Sequence, residues 1–254
     1  QKPYIERLKQ ARKKIGTNKI EEYWNGEEER KKLNVDYFGV GDLEVSNNDE
    51  MLAYSLDLKG SEYFTIYVRR ILDNKIVSEE IKETSGSITW STDDKFIFYS
   101  KLDKFHRPRQ IYRHKIGTPI KNDQLIYDEK DKGFTCGIGV SSDEKYYFIS
   151  TSDHTTSEIY FFTISEESPK PKLFKKRQKE IIYSLDSWKG NFYIHTNQDA
   201  EDFKICTCKH ENINEWKEYI PATNGVLIGG FTLLNDWMVR SEVRNALSKL
   251  YVRN

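Results

Sequence analysis

The side chains with the most chemical reach in this chain are Cys206, Cys208 and His210, spaced C-x-C-x-H. Thiolates and imidazole are zinc ligands. On an extended strand the three share one face, but each two-residue step covers about 6.6 Å, so the outer pair stands about 13 Å apart. Zinc ligands must converge to within about 2.3 Å of the ion. The expectation is therefore two structural thiols and a surface histidine, with no metal. The five histidines are His106, His114, His154, His195 and His210. None has a serine and a carboxylate placed beside it by the sequence, so none is assigned an acyl-transfer role. A nucleophile elbow would read G-x-S-x-G. The nearest attempts, Gly86–Ser87 and Gly139–Val140–Ser141, do not fit. No catalytic residue and no cofactor follow from these side chains.

The elements that would carry them form a repeat. WSTDDKFIFY (90–99) has the same internal plan as VSNNDEMLAY (45–54) and VSSDEKYYFI (140–149): an apolar residue, serine, turn formers, a charge, then a dense apolar strand. The apolar strands end at Tyr54, Tyr99, Ile149, His195 and Arg240, in steps of 45, 50, 46 and 45 residues. A second strand follows each, as in FTIYVRRI (64–71) and RQIYRHKI (109–116). With 16 Tyr and 13 Phe, the composition favours strands. Strands repeating at this period imply blades of a β-propeller, each a four-stranded antiparallel sheet. The fold class is all-β: a partial propeller of about five blades over 21–254, after an N-terminal segment 1–20. The first 38 residues show one strand-like piece, EEYWNG, and the fifth repeat reaches only its second and third strands.

Forty basic and forty acidic residues cancel, which argues against nucleic acid or an anionic membrane as partner. PKPKLFKKRQKE (169–180) is basic, but its only aromatic is Phe174, so it reads as an exposed connection between blades. No apolar run approaches the ~18 residues of a membrane span. Three cysteines are too few for a disulfide scaffold, and the expected location is the cytoplasm.

Several long words resemble the propeller of oligopeptidase B (protease II), a group within the prolyl oligopeptidase family of serine peptidases. They include LAYSLDLKGSEYFTIYVR (52–69), HRPRQIYRHKIGT (106–118), DQLIYDEKDKGF (123–134), SDHTTSEIYFF (152–162) and GFTLLNDWMVRSEVRNALSKL (230–250). The resemblance implies a seven-bladed propeller joined to an α/β-hydrolase domain with a Ser–Asp–His triad. It also implies cleavage of short peptides after Arg or Lys, with the propeller admitting small substrates and excluding folded ones. That hydrolase domain is absent from this sequence, so no catalysis is expected from the chain alone. Peptide substrates would be met through the missing domain. Arg107 and Asp128 fall in words that, in the family, lie on the propeller side facing the hydrolase domain. They are the candidate interdomain contacts.

Two other readings remain open here: a stand-alone propeller acting as a binding scaffold, and the product of a shortened gene. In each case an unclosed propeller leaves apolar blade faces, such as those carrying Phe231 and Trp237, and a strand edge open to water. Self-association is the expected result. Light scattering at high protein concentration should show a dimer or larger species; a dispersed monomer would contradict it.

Overall fold

Asn25 opens the first element. Its side chain accepts a hydrogen bond from the Glu28 N–H (3.1 Å) and caps helix α1 (Gly26–Leu33). Glu27, Glu28 and Glu29 fill the first turn and Arg30, Lys31 and Lys32 the last, matching the helix dipole. The computed structural model describes residues 23–254, and within them the end of EEYWNG is the entry to a helix, not a strand. The cap and the charge order outweigh the aromatic pair.

The strands then follow in blade order. Blade 1 holds β1 (Gly39–Val45), β2 (Met51–Asp57), β3 (Phe64–Arg70) and the first half of β4 (Ile81–Trp90). The second half of β4 opens blade 2, followed by β5 (Phe96–Leu102), β6 (Pro108–Lys115) and β7 (Gln124–Asp128). The switch occurs at Gly86, whose φ of +92° suits glycine and where a Cβ would lie 2.9 Å from the Phe64 ring. Blade 3 is β8 (Thr135–Val140), β9 (Tyr146–Ser152), β10 (Ser157–Thr163) and β11 (Lys172–Lys175). Blade 4 is β12 (Tyr183–Trp188), β13 (Asn191–Thr196), β14 (Lys204–Lys209) and β15 (Asn212–Ile220). The fifth sheet has three strands, β16 (Val226–Leu233), β17 (Met238–Arg244) and β18 (Leu247–Arg253). The sequence pattern supplies β17 and β18, the second and third strands of this repeat; the structure adds β16 before them.

The second strand of blades 1 to 4 carries an unbroken apolar stretch (MLAY, FIFY, YYFI and FYI) because its alternate residues serve two neighbours. Ile97 and Tyr99 pack toward blade 1, with Ala53, Ile66 and Val68. Phe98, between them, packs toward blade 3, with Tyr147, Ile149 and Phe162. Phe148 packs toward blade 4, with Phe192, Ile194, Cys206 and Cys208. Tyr193 then joins Ile228, Leu233 and Met238 of the fifth sheet. The free face of blade 1 is not bare: Leu52, Tyr54 and Leu56 are buried beneath Trp24 and Phe38 of the leading segment. At the other end Phe231 is tucked against the blade 4 interface, contrary to the expectation that it faces water. Trp237, Leu250 and Val252 are exposed there, as expected of an open end.

The repeated serine turn is a device with two functions. Ser46, Ser91 and Ser141 are buried, and each hydroxyl accepts the N–H five residues on, at Met51, Phe96 and Tyr146 (2.9–3.0 Å). Each turn places one residue at positive φ: Asp49, Asp94 and Glu144. The turns also stitch blades together. The Asp94 carboxylate accepts the Asn47 N–H (2.6 Å), the Asn47 side-chain amide (2.8 Å) and the Asn48 N–H (2.9 Å). Asp186 accepts the Ser142 N–H (2.8 Å) and hydroxyl (2.5 Å) in the same manner. Trp90 and Trp188 donate their indole N–H to Glu44 and Asn235 carbonyls one repeat away (3.0 and 3.2 Å).

The basic run 169–180 is more than an exposed connection. Phe174 is buried, and the Arg177 guanidinium sits between two buried carboxylates, Glu129 and Glu158, at 2.8 Å from each. Glu129 belongs to the blade 2–3 connection and Glu158 to β10, so Arg177 ties three segments; its guanidinium also lies over the Phe134 ring. Burial raises the Glu129 carboxyl, but the Thr151 hydroxyl, the Asp131 N–H and Arg177 together outweigh it and hold it below its ordinary value.

Two predictions follow from these contacts. Asp94→Ala removes a charged acceptor from three donors and should cost about 2 kcal/mol, read as a lower urea midpoint. Arg177→Met leaves two carboxylates buried without a cation and should cost about 3 kcal/mol. Because the Glu129 carboxyl is held low when folded, its contribution is present at neutral pH and lost as pH falls through its folded value. The acid side of the stability profile should flatten in Arg177→Met; an unchanged profile would exclude the ion network.

Candidate functional site

Topology sorts the loops onto two ends of the arc. The blade-to-blade connections and the hairpins between second and third strands share one end; the serine turns and the loops between third and fourth strands share the other. Contacts agree: Tyr63 in the 57–64 hairpin donates to the Asp103 carbonyl in the 102–108 hairpin (3.3 Å).

On the connection end of blade 2 lies a cleft of about 650 Å³, and both sequence candidates line it. Arg107 is exposed; it donates its backbone N–H to Asp103 Oδ1 (3.1 Å) and its guanidinium to the Lys132 carbonyl. Asp128, at the end of β7, pairs with Lys130 rather than with Arg107. The structure thus brings the two to one cleft without joining them. Arg109 donates to the Asp131 carbonyl (2.6 Å) and the Glu129 carbonyl, so both guanidinium groups rest on backbone acceptors. Phe105, 63% exposed, stands at the rim with the Lys104 ammonium 5.0 Å from its ring centroid. The surface is cationic and partly apolar, suited to meeting an acidic or mixed partner surface.

The cysteines behave as expected. All three are free and buried, and burial pushes the Cys208 thiol up to about 11. Among the described residues no group of His, Cys, Asp and Glu is arranged to hold a metal. His210 departs from expectation: it is half-buried, with the Tyr146 hydroxyl 3.1 Å from Nδ1 and the Ser187 hydroxyl 2.9 Å from Nε2.

His114 departs further. It is fully buried on β6, with Asp123 Oδ1 2.7 Å from Nδ1 and Ser78 Oγ 2.6 Å from Nε2. The Tyr99 hydroxyl donates to Asp123 Oδ2 (3.0 Å). The sequence did not reveal this set. Ser78 comes from the loop between β3 and β4, 36 residues before His114, and only the pairing of neighbouring blades joins them. The signal available in advance was a polar residue at a fully covered strand position: His114 pairs with Ile97 across the sheet.

With the fold and these surfaces described, comparison with known proteins is direct. The model of the prolyl oligopeptidase N-terminal β-propeller domain matches residues 33–254. The chain is 30% identical over 224 residues to dipeptidyl aminopeptidase BI of Pseudoxanthomonas mexicana, covering 85% of this chain and 30% of that one. It is also 30% identical over 219 residues to protease 2 of Moraxella lacunata, covering 85% of this chain and 32% of that one. In fold it resembles oligopeptidase B from Leishmania major, with a TM-score of 0.88 and 18% identity over 93% of this chain and 34% of the other. The chain therefore spans about a third of the length of the curated relatives it matches. Blade repeat, family match and superposition agree, and the chain belongs to the prolyl oligopeptidase family as its N-terminal β-propeller domain.

Proposed function

We propose that this chain is the lid and substrate-gating part of a serine oligopeptidase that cleaves short peptides after Arg or Lys. The parent reaction is acyl transfer from a serine nucleophile with histidine as base, supplied by a hydrolase domain outside these 254 residues. The chain contributes size selection and closure. The observation that carries the reading is the family match to the propeller domain over 33–254. The specificity rests on the resemblance of the chain's sequence words to the oligopeptidase B group.

In this reading the connection end faces the hydrolase domain, and Arg107 and Asp128 in the 650 Å³ cleft are its interdomain contacts. Charges there bias the closed state by pairing across the boundary. An antibody raised to this chain should capture from source cells an enzyme that releases fluorophore from Arg- and Lys-terminated peptide substrates, and not from Pro-terminated ones. In the recombinant form of that enzyme, Arg107→Ala should change kcat and KM together. Capture of a protein with no peptidase activity would sink the reading. Unchanged kinetics in Arg107→Ala would remove the cleft from it while leaving the peptidase assignment.

A further inference from the structure

We propose that Ser78, His114 and Asp123 form a nucleophilic site of the propeller itself, able to take an acyl or phosphonyl group from a small ester. The proton arrangement carries this. Asp123 is an acceptor on both oxygens, one toward the Tyr99 hydroxyl and one toward His114 Nδ1. A carboxylate at Nδ1 fixes the proton on that nitrogen and leaves Nε2 with a free lone pair. Nε2 therefore accepts the Ser78 Oγ–H at 2.6 Å. Serine to Nε2, carboxylate to Nδ1: this is the order a general base needs to activate a hydroxyl.

Position favours reaction at Ser78 as well. Ser78 is half-buried in an irregular loop, whereas His114 is fully buried. A cleft of about 580 Å³ is lined from Glu79 onward and takes in Tyr99 and Asp123 of the set; Ser78 precedes it in the chain and is not part of its wall. The cleft wall carries both signs, with Lys82 paired to Glu80 and Lys101 to Glu83, so it sets no preference for substrate charge and the substrate class is a small ester.

Two comparisons within the chain separate this site from ordinary blade linkage. Blade 1 has Arg69 at the register position of His114, and it reaches back to Glu29 (3.0 Å). A link to the preceding segment thus needs only a donor, not an imidazole of fixed tautomer. Ser187 also touches a histidine, but it is fully buried and its hydroxyl donates to the Asp143 carboxylate (2.8 Å), while His210 Nδ1 meets a phenol instead of a carboxylate. Ser187 is the internal control.

In the reaction, Ser78 Oγ bonds to the ester carbonyl carbon as its proton passes to His114 Nε2. The tetrahedral adduct collapses, the C–O bond to the alcohol breaks, and His114 returns the proton to the departing alkoxide. Water attacks the acyl-serine by the same path, releasing the acid. With a neutral alkyl fluorophosphonate the oxygen bonds to phosphorus, fluoride leaves and the proton stays on His114, which traps the adduct.

The test is to incubate the chain with that fluorophosphonate and map the adduct by peptide mass spectrometry. The adduct should lie on Ser78, form roughly 100-fold faster in native protein than in urea, and be absent from Ser187 and from Ser78→Ala. Mapping on the unmutated chain needs no variant to fold and excludes contaminating esterases. No adduct on Ser78, or equal labelling in urea, would overturn the nucleophile and leave the three residues as a hydrogen-bonded clasp between blades.

Discussion

A blade of this chain cannot bury itself. Its second strand is apolar on both faces, and Ile97, Phe98 and Tyr99 must find partners in two different blades at once. Everything else follows from that demand. The period of 45 to 50 residues sets where the next apolar strand falls. The serine turns hold the strand's start, and the Asp94 and Asp186 carboxylates fasten each turn to a neighbour. Where no blade is available, as on the outer face of blade 1, Trp24 and Phe38 fill the place. Along β18 the side chains of Leu247, Leu250 and Val252 are exposed within this chain.

This explains what could be read in the sequence. Apolar strands flanked by polar turns are a one-dimensional signal, because each strand's neighbours are fixed by the repeat. The fold class and the turn at Ser91–Asp94 follow from it, while the family rests on the resemblance of the longer words. What escaped reading depends on contacts across blades. Arg177 looked like one cation in a basic run, and nothing local pairs it with Glu129, 48 residues earlier. His114 looked like one histidine among five, and its serine lies in another blade. Helix α1 was missed for a different reason: Trp24 drew attention to strand propensity, whereas the Asn25 cap and charge order decide that segment. Arg107 and Asp128 were placed by resemblance, and they do share a cleft, though each is bonded to a different neighbour.

The two ends of the arc have different character. The connection end presents guanidinium and ammonium groups around an exposed phenylalanine, which suits a surface that meets and releases a second domain. The turn end ties its polar groups into hydrogen-bonded sets such as Ser46–Asn48 and Ser187–Asp143–His210, and the half-buried Ser78 with His114 and Asp123 lies at the same end. Rigid stitching at one end and open charge at the other fit the lid reading proposed above, because closure needs a stiff body with one adaptable surface.

The most direct measurement is the size of the native protein in its source cells, detected with an antibody to this chain. The account predicts a species much larger than 254 residues can supply, since the chain covers about a third of its relatives. A species of this chain's own size, with no larger form, would contradict the assignment as the lid of a peptidase.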